Sequence, residues 1–369
     1  MDGSEVKFLY LSQEDMIEAG VLDMHKCVEV IDKAFKIMAK GDYLHGGPGR
    51  EEHGLRIFFP ETPRGPQMPV AGPDRRFQAL VGYVGGEFNV CGEKWYGSNR
   101  TNLERGLPRS ILVVMLNDPE TGAPLALMEG NLISAMRTGA VPGVGAKYLA
   151  RQDSEAIGVI GAGVINRPCL MSLAEVLKNI KAVKVFDLLR TQSEAFSIEM
   201  KAKLGLNVYP VDSLEEAVRN SDVISFATSG TESPFTETQW IKNGAYVALS
   251  APADFEFGFY LTSRIVADNW KMHLGWRRDA EELPEERPAE YAAIHRLIAE
   301  GRISDEDIEN LGPIALGTSP GRTNDEEKIL LLTGGLPIED ITWGYTVYKE
   351  AIKKGIGQEL TLWEKPFWA

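Results

Sequence analysis

The rhythm of apolar and polar positions changes several times along the chain, and each change marks a different kind of element. Lys7 to Leu11 is a short β-like run. The stretch MIEAGVLDMHKCVEVIDKAFKIMAKG then spaces its apolar residues at helical intervals and stops at Gly41, which predicts one or two surface helices. From Asp42 to Thr101 the pattern breaks into short runs such as LRIFFP, ALVGYVGGEF and KWYGS, punctuated by Gly and Pro, as antiparallel strands joined by turns would be. Ser110 to Asn117 (SILVVMLN) reads as a further strand, closed by the turn DPETGAP. LMEGNLISAMRTGAVPGVGAKYLA returns to helical period, with small residues that allow close packing, and reads as a connector helix.

Beyond the connector, EAIGVIGAG, AVKVFDL, LNVYPV, DVISFAT and AYVALS are short, β-branched apolar runs separated by helical stretches. That alternation demands a parallel sheet. The expected fold is therefore α/β: a doubly wound parallel sheet over residues 142–333, with a discontinuous α+β domain made from residues 1–141 plus 334–369. The charged stretch Glu281 to Asn310 reads as a solvated helical face without chemistry. DITWGYTVYKEAIKKGIG reads as an amphipathic helix that ends at Gly355 or Gly357 and returns to the first domain.

Composition narrows the function. At 369 residues, with 44% hydrophobic and 25% charged, the chain is ordinary globular protein of a length that favours two domains. A formal charge of −14 argues against binding to nucleic acid or to an anionic membrane. Cys27, Cys91 and Cys169 are widely separated, odd in number and without CxxC spacing, so reduced and mostly buried thiols are expected, with no metal site. The start MDGSEVKFLY carries acids and no apolar core, and no window approaches the about 20 apolar residues of a membrane span. A soluble, cytoplasmic protein is expected.

The chemistry begins at Gly161-Ala162-Gly163-Val164-Ile165-Asn166, a turn between the strand Ile157–Ile160 and a helix starting near Val164. Gly161 permits the tight turn and Gly163 a close backbone approach to a pyrophosphate. The helix N-terminus offers amides and a favourable dipole. Asn166 stands where a third glycine is usual, which implies a helix set slightly further from the sheet. The next strand, VKVFDL, ends in Asp187, where a carboxylate can accept both ribose hydroxyls. This is a Rossmann site. Arg190 follows closely and could meet a 2′-phosphate, but Asp187 would repel that phosphate, so NAD(H) is favoured over NADP(H).

Four blocks, GEKWYGSNRTN (92–102), MEGNLISAMRTGA (128–140), VIGAGVINR (159–167) and VALSAPADFE (247–256), resemble the ornithine cyclodeaminase and mu-crystallin family. LTGGLPIEDITWGYTVYKEAIKKGIG matches that family's C-terminal return, so the resemblance spans nearly the whole chain. It implies a lysine facing the nicotinamide at Lys94, a substrate-carboxylate arginine at Arg137 and a catalytic aspartate at Asp254. A second carboxylate arginine falls on Arg50, with Arg56 as the competitor. Thr138 would lie beside the cofactor and Thr228, ending DVISFAT, joins Gly161, Gly163, Val164, Ile165 and Asp187 in the cofactor set. The resemblance also implies a homodimer formed through the first domain and an active cleft between the domains.

The chemistry implied is hydride transfer at the α-carbon of an amino acid or its imine. Arg137 would grip the α-carboxylate through two parallel hydrogen bonds, while Lys94 and Asp254 manage protons. Three outcomes share these motifs: ornithine cyclodeamination to proline and ammonia, amino-acid dehydrogenation and imine reduction. Ornithine-specific members resemble each other in a glutamate before a Met-Pro pair that holds the distal amine, whereas this chain reads Leu55-Arg56-Ile57-Phe58-Phe59-Pro60. Glu51, Glu52 or Glu87 could substitute, but an apolar or basic pocket would suit an aromatic, aliphatic or acidic amino acid better. A nucleotide-holding binding protein or accessory subunit with little turnover, as in the crystallin branch, is the reading from another class.

Overall fold

The computed structural model describes residues 5–47, 49, 53–229, 233–282 and 291–368. The chain folds as two compact units, one formed by residues 1–23, 40–134 and 336–369 and the other by 24–39 and 135–335.

The first unit is built on an eight-stranded sheet. Its strands are β1 (Val6–Leu11), β2 (Tyr43–His45), β3 (Leu55–Phe58), β4 (Arg76–Val84), β5 (Val90–Ser98), β6 (Ser110–Asn117), β7 (Pro124–Glu129) and the C-terminal strand Gln358–Trp363. The C-terminal strand, β1, β7, β6, β5, β4 and β2 lie side by side in that order, with β3 also paired to β4. Only β1 and β7 run parallel; the rest are antiparallel. The two-residue alternation of side chains sorts this sheet. Val90, Lys94, Tyr96 and Ser98 of β5 are buried, while Trp95 is exposed. The helix Pro337–Lys354 covers the buried face, where Gly82 and Gly92 leave room for Ile341.

The predicted N-terminal helical stretch is two helices, Gln13–Ala19 and Met24–Ala39, separated at Gly20, whose left-handed φ of +103° ends the first. The second belongs to the second unit, where the missing side chain of Gly312 lets the carbonyl of Phe35 come close.

The second unit holds an all-parallel sheet. Its strands are β8 (Ala156–Ile160), β9 (Ala182–Phe186), β10 (Val208–Pro210), β11 (Val223–Phe226), β13 (Tyr246–Leu249), β15 (Ser263–Ala267), β16 (Ile308–Asn310) and β17 (Lys328–Leu332), while β12 (Phe235–Thr236) and β14 (Asp254–Phe255) form a separate pair. The sheet order is β10-β9-β8-β11-β13-β17-β15-β16. The order reverses between β8 and β11, the switch point at which doubly wound sheets take nucleotides. β11 and β13 are buried at every position, as strands covered on both faces must be. Of the charged stretch, residues 283–290 lie outside the described residues, and the helix Ala292–Ala299 buries Ile294 and Leu297.

Candidate active site

In the first unit, strand alternation turns Lys94 inward to 3% exposure. An ammonium so far from water is costly unless it is paired. Its Nζ lies 2.8 Å from the carboxylate of Asp340, itself fully buried in the first turn of the helix Pro337–Lys354. A carboxylate there also meets the positive end of the helix dipole. Lys94 further donates to Ser134 Oγ at 3.2 Å and stands 5.7 Å from the ring centre of Tyr96. The Tyr96 hydroxyl donates to Gln78 Oε1 at 2.5 Å, and Gln78 Nε2 lies 2.7 Å from His53 Nδ1. Arg56 joins this chain through His53, with Nη2 at 3.2 Å from Nδ1. Arg50, Glu51 and Glu52 lie outside the described residues. Glu87 sits exposed in the turn between β4 and β5.

In the second unit, the glycine turn behaves as its sequence implies. Gly161 has φ +91°, and a side chain there would strike the carbonyl oxygen of Ala227 at 2.6 Å. Thr228 is the next neighbour, its Cγ2 at 3.0 Å from the same point. Gly163 faces open space, the nearest atom to a side chain there being 4.0 Å away, and Val164 beside it is 70% exposed. Ile165 leads into the helix Asn166–Val176. Asp187 steadies the turn from β9: its carboxylate accepts the Ala162 amide at 2.8 Å and the Leu189 amide at 2.9 Å. A tight turn, an open backbone stretch and an oriented carboxylate together fit a dinucleotide. Arg190 is held by Glu194 at 3.0 Å and Asp212 at 2.5 Å.

Asn166 carries a role that the glycine pattern conceals. It is fully buried, donates its amide to the carbonyls of Ile160 (2.8 Å) and Gly161 (2.6 Å), and accepts from Ser225 Oγ at 2.7 Å. A side chain in place of the third glycine thus staples the turn to β8 and β11.

Arg137 is 5% exposed on the helix Asn131–Leu149, with Thr138 half-buried next to it. Gly335, at φ +81°, makes room for its guanidinium: a side chain at Gly335 would start 2.4 Å from Nη1. The Gly334–Gly335 backbone is fixed in turn by Asp268, whose Oδ2 accepts both amides at 2.6 and 3.1 Å while its Oδ1 lies 2.9 Å from His273 Nε2. Asp254 opens β14 with its side chain exposed and its amide donating to Pro234 at 3.0 Å. Burial, and then the charge of Asp254, raise the pKa of the neighbouring Tyr260 hydroxyl.

The sequence reading did not include Asp340, Asp268 and His273. The available signal was acids in otherwise apolar settings, PIEDITWG and IVADNW. Among the described residues no group of His, Cys, Asp and Glu is arranged to hold a metal, and no helix is long and apolar enough to cross a membrane.

Comparison with known proteins places this geometry. The family model described as the ornithine cyclodeaminase/mu-crystallin family matches residues 21–355. The chain is 30% identical over 361 residues to N-((2S)-2-amino-2-carboxyethyl)-L-glutamate dehydrogenase of Staphylococcus aureus, covering 97% of this chain and 99% of that one. A solved Δ1-pyrroline-2-carboxylate reductase of Thermococcus litoralis, in complex with NADH and L-proline, superposes with a TM-score of 0.80 at 30% identity, covering 95% of this chain and 99% of its own. An archaeal alanine dehydrogenase dimer with bound NAD shares the fold, with a TM-score of 0.78 at 24% identity over 97% of this chain and 100% of its own.

Proposed function

Because the chain belongs to the ornithine cyclodeaminase/mu-crystallin family, we propose that it is an NAD(H)-dependent amino-acid dehydrogenase or imine reductase acting at the α-carbon. The observation that carries this reading is Lys94, a lysine held out of water at 3% exposure by Asp340 and Ser134 on a face where it has no surface role. The relatives named above, a dehydrogenase and a reductase solved with NADH, support the reaction class and the cofactor.

The nicotinamide supplies hydride acceptance from, or donation to, the substrate α-carbon. In this reading Gly161, Gly163, Val164, Ile165 and Thr228 receive the pyrophosphate half of NAD, Asp187 the ribose and Thr138 the nicotinamide side. Asp187 would repel a 2′-phosphate, and Arg190 is already paired with Glu194 and Asp212, which favours NAD(H) over NADP(H). Arg137 grips the α-carboxylate as a two-pronged donor. Lys94 exchanges a proton with the reacting nitrogen, and Asp254 activates the water that hydrolyses the imine, or in reverse protonates the hydroxyl that departs as water when the imine forms. Arg50 and Arg56 are further candidates for the carboxylate.

We also infer a homodimer and a cytosolic setting. Leu55, Ile57, Phe77, Trp95, Ile111 and Val113 stand together on the outer face of the first unit's sheet, each at least 37% exposed, and an apolar face of this kind suits a second copy.

The test is NADH absorbance across amino acids with NAD and across cyclic imines, or keto acids plus amines, with NADH. Proline and ammonia release from ornithine is followed in parallel. Steady NADH change, lost in Lys94→Ala and Asp254→Ala, supports the reading. Ammonia from ornithine without net NADH change would replace it with cyclodeamination, and nucleotide binding with silence in both assays would replace it with a ligand-binding role.

A further inference from the structure

At one end of the strand face that carries Lys94, two arginines share one carboxylate among the described residues. Along β4 the positions on this face are Arg76, Gln78 and Leu80, paired across to Ser98, Tyr96 and Lys94 of β5. Arg56 of β3 stands opposite Gln78. Arg109 reaches the same corner from just before β6. Asp340 is committed to Lys94. Asp74 is shared: it pairs with Arg76 and, at 3.0 Å, with Arg109 Nε, and also accepts the Ser98 hydroxyl at 2.5 Å. One carboxylate against two guanidiniums leaves a positive charge over.

The surplus has an address. Arg76 Nε is buried and has no hydrogen-bond acceptor, a costly state for a charged donor. Its Nη2 lies 3.5 Å from the Tyr96 hydroxyl. Arg109 is held below its usual pKa by desolvation and by repulsion from Arg76 and Arg100, so an anion entering there relieves two arginines at once. The Arg76 guanidinium and the Lys94 ammonium lie 5.8 and 5.7 Å from the centre of the same Tyr96 ring, and strand alternation puts both residues on one face of the sheet.

We propose that Arg76 and Arg109 form a second anion subsite, and that the substrate is an amino acid or imine with a second carboxylate several bonds from its α-carbon. This rests on the dehydrogenase reading above. Guanidinium forks favour a carboxylate over an alkyl or ammonium end, which fits a chain that reads Leu55-Arg56-Ile57-Phe58-Phe59-Pro60 where ornithine-specific members place a glutamate.

The experiment is initial-rate NADH formation with L-aspartate, L-glutamate and L-2-aminoadipate against L-alanine, L-norvaline and L-ornithine, using the full chain and its Arg109→Gln and Arg109→Lys variants. The Arg109 side chain is 43% exposed, and a melting curve checks that both variants fold. The expected result is a preference of about tenfold or more in kcat/KM for a diacid, one charge-assisted contact being worth that much. The preference shrinks toward one in Arg109→Gln, mainly through KM, and recovers in part in Arg109→Lys. Neutral amino acids turned over as well as diacids, or a preference unchanged in Arg109→Gln, would overturn the subsite and leave the dehydrogenase reading intact. Absence of NADH change with every amino acid, and with 2-oxo acids plus ammonia in the reverse direction, would overturn both.

Discussion

Gly335→Ala tests whether Arg137 holds the substrate. At φ +81° an alanine pays about 1–2 kcal/mol for the left-handed backbone alone. In a unit of about 200 residues that lowers Tm by roughly 2–8 °C. The new methyl would also start 2.4 Å from Arg137 Nη1, 3.1 Å from Nη2 and 3.2 Å from Cζ. Ordinary contact between carbon and nitrogen needs about 3.5 Å, so the guanidinium must retreat by about 1 Å. Arg137 is 5% exposed and has little space to retreat within. Losing one of two charge-assisted hydrogen bonds to a carboxylate costs about 1.5–3 kcal/mol, a roughly 10- to 100-fold fall in kcat/KM. Gly205→Ala is the control: its φ is +69°, with nothing within 4 Å of the new methyl, so it carries the backbone cost without touching Arg137. Melting curves and NADH-coupled initial rates on both variants separate the two effects. If Gly335→Ala melts as Gly205→Ala does and keeps kcat/KM within about twofold of the parent, Arg137 is not the carboxylate anchor.

Two further outcomes follow from the second unit. Asn166→Ala removes the staple on the glycine turn; it should cost about 1–3 kcal/mol in stability and weaken NADH binding, read by fluorescence titration, more than it raises the amino-acid KM, and an unchanged NADH Kd would refute that role. Burial, helped by repulsion from Arg277 and His273, holds His295 down at about 4. The unfolded chain therefore takes up a proton below about pH 6.5 that the folded chain refuses, so this contribution to stability is complete above that pH and is lost as pH falls toward 4, by at most about 1.4 kcal/mol per unit. Urea unfolding at pH 7 and 4.5 should show a larger loss in the parent than in His295→Gln, and equal losses would refute it.

The Rossmann unit was legible in the sequence because its signals are local. Each inner strand is a contiguous apolar run, since a parallel sheet covered on both faces leaves no polar side to alternate with. The glycine turn and Asp187 stand close to one another along the chain, so spacing alone reports them. Lys94, Arg137 and Asp254 were visible through the blocks around them rather than through their own chemistry. What the sequence determined by itself was thus the class of fold and the glycine turn at the end of its first parallel strand, with Lys94, Arg137 and Asp254 as the candidates for the chemistry.

The partners of those groups were decided by tertiary structure. Asp340 meets Lys94 only because the helix Pro337–Lys354 folds back over β5, and Asp268 meets Gly334 and Gly335 only because β15 and β17 are neighbours in the sheet. The strand Gln358–Trp363 gains its identity from β1, and the helix Met24–Ala39 finds its place against Gly312 rather than beside its neighbours in sequence. An acid in an apolar helix turn, a short alternating tail and an amphipathic face each have many possible partners. Which one each takes depends on long-range packing and on which buried charge must be neutralised, and no local pattern encodes that.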